Sequence, residues 1–368
     1  MAAVQNLELT HTKVQHYVNK MFDGHEIMVS SWECTPFDYK TPNFTNGGVF
    51  RIHGQVLKGG QIADWSMVLK VLVSDPQRNV AEHYNFWRRE AFIYESKWLE
   101  NLPAIINVPK CYGVEENSNG TIWLWIEDIS GDNDSEWPSE SFVYAANQLG
   151  RLNGNFLTGK TVMPSDPWIC KGWINSWVSE CRNYIDQHVN DYFSGNYSLP
   201  VEPIIEGYLA FLTYIDDLVR SLNQLPRVLA HQDFWQKNLF LERKSNGQIK
   251  LTAIDWQFIS ISGIGEDLGR FYGLCMSKRN IPQESFASFK DLLFNAYIEG
   301  LRAEGWEGEK NLPLFGFYAA TAVRAIWEVP KLLEKINSLG SETDVNKSAT
   351  ESAIDNLLLI TRLSLIHI

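Results

Sequence analysis

Apolar and polar positions along the chain fall into two regimes. The first stretch of about 30 residues reads as a helix followed by irregular chain, and the pattern then turns to period two. Val49-Phe50-Arg51-Ile52-His53-Gly54 alternates, and Trp65-Ser66-Met67-Val68-Leu69-Lys70-Val71-Leu72-Val73 is rich in strand-forming side chains. Between them the turn Lys58-Gly59-Gly60-Gln61 predicts an antiparallel hairpin. Residues 80–99 carry Phe86, Ala91, Ile93, Tyr94 and Trp98 among charges and predict a helix, with Pro103 ending the region. Two more strands, 108–114 and 121–129, flank the polar turn that ends at Asn119-Gly120.

Past a polar, turn-rich segment at 130–140, helical spacing takes over at 142–156, 173–192, 204–223, 284–300, 315–333 and 351–363. Short strands at 238–241 and 250–254, joined by Lys244-Ser245-Asn246-Gly247, interrupt it. The expected fold is α+β and bilobal, with a small antiparallel-sheet lobe over 1–129 and a larger helical lobe over 130–368.

Composition narrows the class. A 45% hydrophobic and 21% charged chain of 368 residues has the makeup of a soluble globular protein long enough for two lobes. A net charge of −12 argues against a nucleic-acid partner and is compatible with a cationic substrate. The five cysteines form no CxxC pair, which fits reduced thiols in a cytoplasmic protein. The N-terminus lacks an export pattern, and no apolar run nears the ~20 residues of a membrane span.

Chemistry concentrates in His231-Gln232-Asp233-Phe234-Trp235-Gln236-Lys237-Asn238 and, one strand pair later, Ile254-Asp255-Trp256. An Asp, an Asn and a second Asp at this spacing suit phosphoryl transfer: Asp233 to orient a hydroxyl, Asn238 and Asp255 to offer oxygen to magnesium. His231 reads as a structural residue bonded to backbone. Asp267, opening a helix after Gly263 and Gly265, either caps it or holds the loop backbone. Upstream, Asn46-Gly47-Gly48 precedes a strand where backbone N–H groups can approach phosphates, although such pairs are usually ordinary turns. Lys70 sits in an otherwise apolar strand and needs a partner unless it snorkels at an edge. Glu90 is the candidate partner and Glu95 its rival. Backbone groups of residues 126–129, including Glu127 and Ile129, can meet a base edge. Trp125 closes the back of that pocket or belongs to the core.

These strings resemble those of the aminoglycoside phosphotransferase and choline kinase-like family, whose fold is the two-lobed protein-kinase-like one. That family carries H-G-D-x4-N, then I-D-W or I-D-x, then a D-L pair, matched here by His231 to Asn238, Ile254-Asp255-Trp256 and Asp267-Leu268. The resemblance implies Asp233 as catalytic or hydroxyl-orienting base, Asn238 and Asp255 as magnesium ligands, and Lys70 with Glu90 as an ion pair. ATP or GTP is then the co-substrate, Mg2+ the cofactor and a small hydroxyl compound the acceptor. Gln232 stands where the family has Gly, and Phe234-Trp235 is bulkier than its usual residues. Rival readings are an inactive nucleotide-binding module, a choline- or homoserine-type metabolite kinase, a protein kinase and a metallohydrolase. The chain lacks H-R-D, D-F-G and A-P-E strings, and no second histidine lies near Asp233 in sequence.

For the acceptor, two ways of holding an ammonium group can be read. Trp173, Trp177 and Trp306 offer cation–π faces, and Glu266, Glu299, Glu304, Glu307 and Glu309 offer carboxylates. Each of these residues is equally a core aromatic or a solvated helix acid.

Overall fold

Glycine sets the first hairpin. Gly59 (φ 57°) and Gly60 (φ 80°) both take the left-handed conformation that a two-residue hairpin turn requires. They join β2 (Asn46–Lys58) to β3 (Gln61–Val73), which pair antiparallel down to Lys58 opposite Gln61. In the computed structural model, residues 7–23, 27–37, 46–129, 137–186, 202–278 and 280–330 are described. The chain divides into two units. One comprises Met1–Ala81, Asn85–Asp132 and Phe240–Gln257, the other Glu82–Tyr84, Asn133–Leu239 and Phe258–Ile368. A division at 129/130 by sequence order alone leaves Phe240–Gln257 with the later half.

The first unit is built on a five-stranded antiparallel sheet in the order β1-β2-β3-β5-β4, with β1 at Met28–Pro36, β4 at Cys111–Glu116 and β5 at Thr121–Glu127. Strand alternation sends Trp65, Met67, Leu69 and Val71 to one face, against Val14, Tyr17 and Val18 of α1 (His11–Met21). Each fully buried side chain of this kind contributes about 1.5–3 kcal/mol. Trp125 belongs to this core: it is fully buried and stacks on Tyr17 at 4.1 Å. Lys70 lies between Leu69 and Val71 and so projects from the other face, which removes Trp125 as a pocket wall beside it.

In this unit two elements depart from the sequence expectation. β1 forms where irregular chain is expected: a bulge between Val29 and Ser31 interrupts its alternation, and beyond Val29 only Trp32 and Cys34 turn, half-buried, toward the core. The helix expected over 80–99 shrinks to α2 (Arg89–Glu95). Its intended first turns are bonded elsewhere: Trp87 N donates to the Arg78 carbonyl (3.1 Å), Trp87 Nε1 to Asn79 Oδ1 (2.7 Å), and buried Arg89 to the Ala81 carbonyl (2.7 Å).

The second unit is helical. It contains α3 (Ser139–Leu157), α4 (Trp173–Asp186), α5 (Glu202–Leu212), α6 (Ile215–Gln224), α7 (Glu266–Ser277), α8 (Phe286–Ala303) and α9 (Asn311–Ala325). The single helix expected over 204–223 is thus two. α3 and α8 approach through Gly150 and Gly300, where a Cβ would collide with the carbonyls of Tyr297 and Asn147. Two short strands, β6 (Arg227–Ala230) and β9 (Ser260–Gly263), pair antiparallel and were not legible in the sequence. Between them in sequence lies the hairpin β7 (Leu239–Arg243) and β8 (Ile249–Ala253), which belongs almost wholly to the first unit. The segment 130–136 and the expected helix 351–363 lie outside the described residues. Among the described residues no helix is long and apolar enough to cross a membrane, and the five cysteines are free thiols.

Candidate active site

The first unit holds a buried charge cluster. Lys70 Nζ lies 2.6 Å from Glu90 Oε2 and 2.7 Å from Asp255 Oδ1. Glu90 comes from α2, where it is fully buried, while Glu95 on the same helix is exposed. Asp255 follows β8 in the left-handed conformation, φ 61°. Asp tolerates this region better than most side chains, yet the conformation still carries some strain. Burial opposes the Lys70 charge, but the Asp255 and Glu90 carboxylates outweigh it and hold the ammonium above its ordinary pKa. Burial pushes Glu90 upward; the Lys70 charge pulls it down, and Asp255 adds to the rise. One cation faces two carboxylates, so the cluster carries an excess of negative charge whenever both are ionised, and burial drives Glu90 toward its neutral form to relieve it.

Of the other named residues of this unit, Asn46 and Gly48 lie opposite Leu72 and Val71, next to Lys70 in the register, with a bulge between Asn46 and Gly48 (φ 135°). Gly47 is buried beside it. Glu127, at the end of β5, accepts from the Lys110 backbone N–H (3.0 Å), and Ile129 follows the strand half-buried.

The second unit organises the loop after β6. Asp267 on α7 is buried, and its two oxygens accept the backbone N–H groups of His231 (2.6 Å) and Gln232 (2.7 Å). It therefore holds the loop and does not cap its helix, whose N-cap is Gly265. Burial raises the Asp267 carboxyl, opposed by His231 and the two backbone bonds. His231 Nδ1 accepts from Asp233 N–H (3.3 Å). Gln232, where the resembling family has Gly, takes φ 66°. Its side chain compensates: Nε2 donates to Ser260 Oγ (3.0 Å) and Ser262 Oγ (2.6 Å) on β9, and its carbonyl accepts from Arg324 (3.1 Å). At about 0.5–1.5 kcal/mol per buried bond, these outweigh the backbone strain.

Asp233 is held from two sides. Arg270 donates to Oδ1 from Nη2 (2.9 Å) and Nε (3.2 Å). Asn238 Nδ2 donates to Oδ2 (2.9 Å) and to the Asp233 carbonyl (3.0 Å). The Asn238 amide nitrogen is thereby engaged, which leaves its Oδ1 as the open donor atom for a cation. Arg270 and Asp267 lie three residues apart on α7 and so share a face. Phe234 turns inward, buried against Phe271 at 5.7 Å. Arg270 and Arg324 carry no motif and were missed in the sequence. The i,i+3 spacing of Asp267 and Arg270 was the one available signal.

Each expected ligand, taken in its own unit, offers the oxygen that a hard divalent ion of the magnesium type prefers. Asp255 keeps Oδ2 beyond its bond to Lys70, and Asn238 keeps Oδ1. Among the described residues no three His, Cys, Asp or Glu side chains cluster as an all-protein metal cage. Magnesium does not need one, since it retains water and takes phosphate oxygens as ligands.

A family model described as "Uncharacterized oxidoreductase dhs-27" (DUF1679) matches residues 204–307. That segment contains the Asp233 loop and Asp255, and the chain has no G-x-G-x-x-G dinucleotide string. No curated protein sequence matches the chain. Among solved structures it is similar to the amicoumacin kinase hAmiN in complex with AMP-PNP, Ca2+ and Ami, at 15% identity over 95% of this chain and 96% of that one, TM-score 0.56. It is similar to a choline kinase from Cryptosporidium parvum Iowa II at 13% identity over 96% of each chain, TM-score 0.57. It is also similar to APH(2")-IIia in its GDP and kanamycin complex, at 14% identity over 95% and 99%, TM-score 0.50. At these identities the likeness is one of fold, and the chain has the protein-kinase-like fold of these small-molecule phosphotransferases.

Proposed function

We propose that the protein is a magnesium-dependent small-molecule kinase that transfers the γ-phosphoryl group of a nucleoside triphosphate, ATP or GTP, to a substrate hydroxyl. The observation that carries this reading is the buried Lys70–Glu90–Asp255 cluster. Sinking a lysine against two carboxylates, one fully and one largely buried, is costly, and packing alone supplies no reason for it. A chain that must grip a phosphate with Lys70 and a divalent ion with Asp255 has that reason. The fold shared with small-molecule phosphotransferases supports the same class of reaction.

In this reading Asn46, Gly47 and Gly48 offer backbone N–H groups to the phosphates, and Glu90 keeps Lys70 aimed at them. Backbone groups of Glu127 and Ile129 meet the base. Asn238 Oδ1 and the Asp255 carboxylate hold Mg2+, which when bound offsets charge on the phosphates. Asp233 orients the acceptor hydroxyl. Oδ1 is engaged by Arg270, so Oδ2, which among the described residues is bonded only to Asn238, is the atom that accepts the substrate O–H. Asp267 and His231 keep that loop in place.

The test is nucleoside diphosphate release by the purified protein with ATP or GTP, across hydroxyl compounds that include aminoglycosides, macrolides, choline, homoserine and uncharged alcohols. Release should require magnesium and fall about 10²–10⁴-fold in Asp233→Ala. Magnesium-dependent nucleotide binding with no release from any compound would replace this reading with that of an inactive nucleotide-binding module.

A further inference from the structure

Arg324 already occupies an aromatic box beside the Asp233 loop. Trp173 and Trp177 of α4 stack at 5.9 Å, and Trp327 meets Trp177 edge-on at 6.3 Å. Tyr84 and Phe258 meet Trp173 edge-on at 5.6 Å and 6.1 Å. The Arg324 guanidinium lies 4.2 Å from the centre of the Trp173 ring and 5.8 Å from that of Trp177. It donates to the carbonyl of Gln232, the residue before Asp233. A box of this kind is what holds a quaternary ammonium in amine recognition. Here the chain's own cation fills it.

The carboxylates are engaged as well. Asp233 is bonded to Arg270 and Asn238, and Asp267 to two backbone N–H groups. Glu266 is buried and accepts from Gly263 N–H (2.6 Å). Glu304 is bridged by Arg151 and Lys160, each at 2.9 Å, and Arg302 covers Trp306 at 4.8 Å. Glu299, Glu307 and Glu309 are exposed to solvent. Among the described residues, every aromatic and acidic group that the sequence offered for an ammonium is therefore committed to the fold or left on the surface.

We propose that the acceptor is an uncharged alcohol, and that Arg324, packed on Trp173, is the residue that excludes ammonium-bearing ones. This rests on the kinase reading, which places the acceptor hydroxyl at Asp233. A cationic acceptor would meet Arg270 and Arg324, and none of the buried carboxylates and rings described above is open to offset the repulsion.

Two measurements test it. The first compares choline with its uncharged isostere 3,3-dimethylbutan-1-ol as acceptor, read as kcat/KM for nucleoside diphosphate release. The isostere should be favoured by roughly tenfold or more; equal use or a preference for choline overturns the proposal. The second titrates tetramethylammonium chloride into the intact protein and follows tryptophan fluorescence, which needs no turnover. No saturable change is expected, whereas Arg324→Gln should gain one by opening the Trp173 face. Saturable quenching in the unsubstituted protein overturns the proposal whether or not the protein proves to be a kinase. Absence of phosphoryl transfer to any alcohol is the separate failure of the kinase reading, and the fluorescence titration then decides this one alone.

Discussion

The two charged centres of this molecule are built on opposite principles. In the first unit, Lys70 meets the buried Glu90 and the largely buried Asp255, and the charge does not balance while both are ionised. In the second, Asp267 and Asp233 are also buried or nearly so, yet backbone N–H groups, Asn238 and Arg270 satisfy them. A satisfied carboxylate stabilises the loop it grips; an unbalanced one is a cost that an incoming cation removes, or a proton, toward which burial drives Glu90. The first centre is accordingly the place to look for ligand-dependent chemistry, and the second for the rigidity that presents Asp233.

The same substitution made in both centres separates these roles. Asp255→Asn should abolish magnesium-dependent turnover, a loss of about 10³-fold or more. It should leave stability within about 1 kcal/mol, because Asn still accepts from Lys70 and the remaining Lys70–Glu90 pair is balanced. Asp267→Asn should do the reverse in a melting experiment. An amide offers one acceptor where two charged ones were used, and a loss of about 3–5 kcal/mol is expected. Equal destabilisation by the two changes would erase the distinction.

Much of this was written locally in the sequence. The Lys58–Gln61 turn announces its hairpin because only glycine takes two successive left-handed residues without strain. The Asp233, Asn238 and Asp255 strings are legible because their spacing follows from a short loop and one hairpin. What stayed hidden is tertiary. Arg270 is 37 residues from Asp233 and Arg324 is 92 from Gln232, and nothing local in either selects its partner. Trp125 had two readings because strand alternation gives a side chain its face but not what covers that face. β6 and β9, at four residues each, are too short to show a period.

A smaller effect sharpens the view of the second centre. Gln232→Gly restores the residue the resembling family carries and removes the left-handed strain, worth about 1 kcal/mol. It also deletes the bonds to Ser260 and Ser262 and leaves a void behind β9. The net result should be destabilisation by about 1–2 kcal/mol in chemical denaturation. A more stable variant would show that backbone strain, not the side-chain bonds, dominates this loop.

Glu266 gives the most specific signal, confined to one pH window. Burial pushes its carboxyl from the ordinary 4.5 up to about 7, while the Gly263 N–H, Arg227 and Arg324 pull it down and Asp267 adds to the rise. A carboxyl raised in the folded state binds its proton more tightly there than in the unfolded chain. Its contribution is thus most favourable below 4.5 and is lost as pH rises from about 4.5 to about 7. Glu266→Gln keeps an acceptor for Gly263 N–H and does not titrate. The variant should melt close to the parent at pH 5 and above it at pH 8, with a difference of about 1–3 kcal/mol. A pH-independent difference would mean that Arg227 and Arg324 keep Glu266 ionised in the fold, and the second centre would then contain an unrelieved buried charge like the first.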